Sequence, residues 1–151
     1  MINPSELRIG NIVLLNGMPT EVQGVAPNGI LLNGYQNGDS IDPFPLNDFI
    51  LEQLLGKNRI NNHLVFNYFK NSTYFVAYEE TRDAFGNIIE NRTGYYVGMY
   101  DGPKLIHLTP CSIHYLHQLQ NIHFAQFGNE LGLTMNKVMR VWNTAKSLSR
   151  I

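Results

Sequence analysis

Residues 7–33 alternate short apolar runs with turn dipeptides. Ile12-Val13-Leu14-Leu15 precedes Asn16-Gly17, two residues that tolerate the positive φ of a tight hairpin. Glu21-Val22-Gln23-Gly24-Val25 leads to Pro27-Asn28-Gly29, and Ile30-Leu31-Leu32 leads to Asn33-Gly34. This spacing predicts three brief strands in a strongly bent sheet. Residues 35–45 form a polar stretch with no period and predict a loop. Residues 46–55 predict a short helix, with Asn47 as N-cap, Asp48 near its positive end and Gly56 as its stop. From 63 to 108, apolar runs divided by Asn71-Ser72, by 83–87 and by Asp101-Gly102-Pro103 predict an antiparallel meander, because the connections are too short for crossovers. Residues 113–131 then switch to helical period. At about 100° per residue, Ile113, Tyr115, Leu116, Leu119, Ile122, Phe124 and Phe127 share one arc, and His114, His117, Gln118 and Asn121 share the other. Ser112 is the expected N-cap and Gly132 the expected break. A last helix runs from Met135 to about Ser149, with Thr134 as its cap.

These elements describe an α+β fold. A small N-terminal sheet, whose pattern resembles the antiparallel barrels of SH3 or KOW type, is followed by a short helix, the meander and two C-terminal helices. Residues 1–132 are expected to form one domain, with 1–42 as the barrel-like part and 113–131 as the core helix. Residues 133–151 are expected to be a basic amphipathic extension.

Composition narrows the setting. A hydrophobic content of 44% supports a buried core. No apolar run is long enough to span a bilayer, and the opening MINPSELRIG lacks the pattern of a secretory signal. Cys111 is the single cysteine, so a reducing cytoplasm is the expected location. The net charge of −1 conceals an asymmetry: Lys137, Arg140, Lys146 and Arg150 give the final stretch +4 with no acid. Such an end suits either an anionic partner or docking on the rest of the chain.

Candidate chemistry is sparse. His114 and His117 lie three apart, one turn beyond Cys111, but no carboxylate stands between Asp101 and Glu130 to complete a metal set. A Cys111–His114 nucleophile–base pair would need a lowered thiol pKa, an orienting acid and an oxyanion site, none of which is written in the sequence. Glu79, Glu80 and Asp83 flank a turn beside Arg82 and read as solvated. Ten aromatic residues between Phe66 and Tyr100 could stack bases on an exposed sheet, but few cations accompany them. No phosphate-cradling glycine loop is present. No cofactor, no metal and no catalytic residue are therefore expected. The stretch Phe127-Gly128-Asn129-Glu130-Leu131-Gly132-Leu133-Thr134 has the apolar spacing of a helix-turn-helix over 127–149, whose second helix would offer Thr134, Asn136, Lys137 and Arg140 to duplex DNA.

Two further stretches belong together. Leu7-Arg8-Ile9-Gly10-Asn11 near the start, and Tyr115-Leu116-His117-Gln118-Leu119-Gln120-Asn121 followed by Phe124-Ala125 and Glu130-Leu131, resemble a family of short proteins encoded by gut bacteria and their phages. Its members open with LRIGN, carry a P-x-P-L segment (here Pro43-Phe44-Pro45-Leu46) and close with YVHQLQNLYFALTGEEL. The resemblance implies a phage or mobile-element setting and no activity, and this chain departs from it by the basic helix beyond residue 131. The expectation is a small non-catalytic binding or assembly protein, meeting a protein partner or a second copy through His114, His117, Gln118 and Asn121. The alternative is a DNA-binding protein using the final helix.

Overall fold

The computed structural model describes residues 2–27, 29–60, 63–66, 74–79, 81–82, 84–89, 95–101, 104–107 and 112–151. The fold is mixed α+β and divides into two compact units. One combines Met1–Ile50 with Tyr115–Ile151, and the other is Leu51–His114. Helix α1 (Asp48–Leu55) starts in the first and ends in the second.

The first unit is built on a curled antiparallel sheet of β1 (Ile12–Leu15), β2 (Met18–Ala26), β3 (Gly29–Leu32) and β4 (Ile41–Pro43), in the order β3-β2-β1-β4. The three expected strands are all present. The strand β4 inside the expected loop is a difference. It pairs with β1 from Val13↔Pro43 to Leu15↔Ile41, and its proline is tolerated because β4 is an edge. Curvature comes from β2. Its first half pairs with β1 and its second with β3, with a register shift between Val22 and Gly24. A bulge of this kind bends and twists the strand that carries it. Pro19 lies in the half that β3 does not reach, so its missing N–H breaks no ladder on that side.

Inside the curl, Val13, Leu15, Val22 and Leu32 pack with Ile2 and Leu7. Ile12 and Leu14 point to the opposite face by strand alternation and are equally buried, which requires a covering layer. The layer is helical: α2 (Leu116–Phe127) lies on β1, and α3 (Met135–Ser147) lies on β2. On α3, Val138, Val141, Trp142 and Ala145 form the buried stripe. The Trp142 indole meets the Phe44 ring at 4.9 Å, and its Nε1–H donates to Gly17 O at 3.0 Å. The basic helix thus docks on its own sheet.

Helix α2 is shorter than the periodicity predicts. Residues 113 and 115 are held in β-bridges, Ile113 to Tyr95 and Tyr115 to Pro45, so the chain is still extended where the helix was expected to begin. Tyr115 is the N-cap, and its N–H donates to the Gln118 side chain at 3.1 Å, the return half of a capping box. The helix ends at Gly128 (φ 70°), one turn before Gly132, because Gly128 supplies the left-handed cap. Its buried stripe also differs from the apolar arc: Leu116, His117, Leu119, Gln120 and His123 are inside, while Phe124 and Phe127 are partly exposed.

In the second unit, β5 (Lys57–Ile60), β6 (His63–Phe66), β7 (Tyr74–Glu79), β10 (Tyr95–Asp101) and β11 (Lys104–His107) form an antiparallel sheet in the order β11-β10-β7-β6-β5. Phe66 and Tyr95 are buried there and meet edge to face at 6.2 Å. Strands β8 (Thr81–Arg82) and β9 (Ile88–Ile89) make a separate hairpin with Phe85 in its loop, 91% exposed.

Candidate partner-binding site

Residues 7–11 and 115–131 meet in the first unit. Residues 6–12 form a strap along α2, fixed by side-chain amides. Gln120 accepts from Ile12 N (2.9 Å) and donates to Gly10 O (3.1 Å), pairing with the strap as a neighbouring peptide group would. Asn121 donates to Glu6 O (2.9 Å) and accepts from the Asn11 side chain (2.8 Å), whose own oxygen accepts from Arg8 N (2.7 Å). On its other side the strap extends the β2 ladder, through Gly10 N to Val22 O and Val22 N to Asn11 O. The Arg8 guanidinium forms a two-pronged pair with Glu130 and stands 4.2 Å from the centre of the Phe124 ring. That partnership holds the Glu130 carboxyl below its ordinary value. Gly10 (φ 93°) lies where a side chain would be 3.5 Å from the Glu130 carboxylate, and its backbone favours glycine there.

The four residues expected to face a partner are placed in different ways. His114 is exposed and lies 3.3 Å from Ser112 Oγ. Gln118 caps the helix and Asn121 ties down the strap. His117 is 1% exposed, with neither ring nitrogen hydrogen-bonded; Nε2 lies 3.5 Å from Glu6 Oε2, and the ring stacks on Tyr115. Burial pushes the His117 imidazole below its ordinary value, and Glu6 opposes that shift. His123 is also lowered by burial, and its Nδ1 lies 3.1 Å from Asn129 O. Cys111 lies outside the described residues, as do the side chains of Glu79, Glu80 and Asp83. Among the described residues no three His, Cys, Asp or Glu side chains gather as a metal set, and no helix is long and apolar enough to cross a membrane.

Among what α2 and the strap leave outward are three large apolar side chains. Ile9 is 59% exposed, and Phe124 and Phe127, one turn apart, are 39% and 37% exposed. Beside Ile9 lies an open hollow of about 290 Å³, walled by Ile9, Ile12, Leu131, Leu133 and Met135, with Glu21 and Glu130 also lining it. Sequence periodicity did not flag this surface. The signal that could have found it is the pairing of Arg8, Asn11, Gln120 and Glu130 across the two motifs, since amides and charges at mutually fixed positions mark a polar lock.

On α3, Thr134 Oγ1 accepts from Lys137 N at 3.3 Å as the helix cap, and Asn136 and Arg140 are exposed while Lys137 is half-buried. Residues 128–134 connect α2 to α3, longer than the three or four residues of a helix-turn-helix corner.

Compared with protein-family models, with curated proteins and with solved structures, the chain matches none.

Proposed function

We propose that this is a small non-catalytic protein-binding module whose contact surface is the hollow beside Ile9 together with the Phe124/Phe127 shoulder. The observation that carries this reading is the exposure of Ile9, Phe124 and Phe127 beside residues whose polar groups already bond within the fold. Aromatic residues and arginine are enriched at protein–protein interfaces. Glu130 is matched by Arg8, and Glu21 leaves an acidic group at the hollow, so the fitting partner is a polypeptide segment with an apolar anchor next to Lys or Arg. The curled sheet is read as an SH3/KOW-type barrel. The two motifs that resemble the gut-bacterial and phage family are the strap and the helix that build this surface, which supports a phage or mobile-element setting and a cytoplasmic location.

Selection of a random peptide library on the immobilised protein tests the reading. Enriched sequences with an apolar residue beside Lys or Arg, lost on Ile9→Asp and on Glu21→Lys protein, are expected. An enriched set without that signature, or one unchanged by both substitutions, refutes it.

DNA binding by α3 is the second reading. The exposed Asn136 and Arg140 on its outer face favour it.

A further inference from the structure

Helix α2 contains one polar side chain that the fold buries without a hydrogen bond. His117 lies in its first turn, where a leucine would fill similar space without cost. A buried polar group left without a hydrogen bond costs about 1–3 kcal/mol, so its presence calls for an explanation. The ring faces two groups among the described residues: the Glu6 carboxylate at the start of the strap, and the Tyr115 ring against which it stacks. Arg8 is engaged by Glu130, and His123 lies beyond, against Asn129 and Phe127.

We propose that His117 and Glu6 form a proton-sensitive latch that decides whether the strap lies on α2, and hence whether the surface around Ile9 is assembled. The inference rests on the binding reading above for its functional consequence, and on geometry alone for the latch. Neutral His117 fits a closed pocket. Protonation gives the ring two donors, of which Nε2 can turn to Glu6 Oε2 and Nδ1 has no acceptor in place. Glu6 attracts the cation, so the cost to be relieved is burial, and it is relieved by water entering between the ring and the segment that carries Glu6. That segment is the strap: Glu6 O is held by Asn121, the same amide that holds Asn11, and Gly10 and Asn11 continue the ladder to Val22. Displacing Glu6 therefore loosens the turn that presents Ile9. Since burial already disfavours the charged ring, acidification opens the latch and neutral pH closes it.

Amide hydrogen exchange on the full chain, expressed as protection factors at Gly10, Ile12 and Val22, reads the latch directly. On going from about pH 7.5 to about pH 5.5, wild-type protection at these amides falls about tenfold or more, while amides in α3 keep theirs. His117→Leu removes the pH dependence, and Glu6→Gln moves the transition to lower pH. A flat wild-type profile, or the same fall in His117→Leu, overturns the proposal. Should His117→Leu not fold, NMR titration of His117 in wild type and Glu6→Gln decides instead, and equal midpoints in the two overturn the pairing. If protection falls as expected but affinity for the selected peptides does not follow, the latch stands and the binding surface is refuted.

Discussion

Replacing Gln120 by alanine tests whether side-chain amides hold the strap. Gln120 is 3% exposed, and its amide satisfies two backbone groups at once, the buried Ile12 N–H and the half-buried Gly10 C=O. Alanine leaves both without a partner. A buried unsatisfied group costs about 1–3 kcal/mol; Ile12 N–H bears the full penalty, whereas Gly10 C=O recovers part of its loss from water. Adding the lost packing of the side-chain stem, the expected loss is about 2–4 kcal/mol. For a chain of this size that corresponds to a fall in Tm of roughly 5–15 °C. Urea unfolding, followed by tryptophan fluorescence from Trp142 in the same unit, measures it. Gln120→Glu refines the test, because it keeps the acceptor for Ile12 N–H but sets a carboxylate against Gly10 O. That variant should gain stability as pH falls and its new carboxyl protonates. A Gln120→Ala midpoint within experimental error of wild type would refute the argument, and so would a Gln120→Glu variant insensitive to acid.

Other outcomes follow from the same geometry. Trp142→Phe removes the indole bond to Gly17 O and should cost about 1–3 kcal/mol in urea unfolding. Gly10→Ala places a side chain at φ 93° and should destabilise by about 1–2 kcal/mol, read as a lower thermal midpoint. Acid acts twice on stability. His117 and His123 are lowered in the folded chain, so the unfolded chain takes up protons first, and stability falls as pH drops below the ordinary imidazole value of 6.5. Glu130 is lowered by Arg8, so its contribution is present above 4.5 and is lost as pH falls through its folded value. Stability curves of wild type, His117→Leu and Glu130→Gln across pH separate the two. For the DNA reading, duplex affinity should decline steeply with salt and disappear in Lys137→Ala/Arg140→Ala; no binding at low salt counts against it.

The N-terminal strands were legible because Asn16-Gly17 and Gly29 state their turns locally. Strand β4 was not, since Ile41-Asp42-Pro43 has edge-strand character only once β1 is there to pair with it. The helix α3 stripe was legible because its inward residues are apolar. The α2 stripe was misleading for the opposite reason. Gln120, His117 and His123 are inside because the partner surface is backbone and carboxylate, which hydrophobic periodicity does not register. Of the expected partner-facing set, Gln118 and Asn121 turn out to bond within the chain, information that depends on residues more than a hundred positions away in the case of Asn121.

The first unit is assembled from both ends of the chain, with Leu51–His114 lying between its parts in sequence. During synthesis, β1 to β4 emerge early, yet the helices that cover Ile12 and Leu14 come last. At roughly 5–20 residues per second, the hundred or so residues from β4 to the end of α3 take about 5–20 s to appear. Through that interval the sheet lacks its helical cover, while the second unit already has all its strands once His114 has emerged. Helix α3 therefore acts as a closing step for this unit, because Trp142 can reach Phe44 and Gly17 only after the intervening Leu51–His114 segment and α2 have been made.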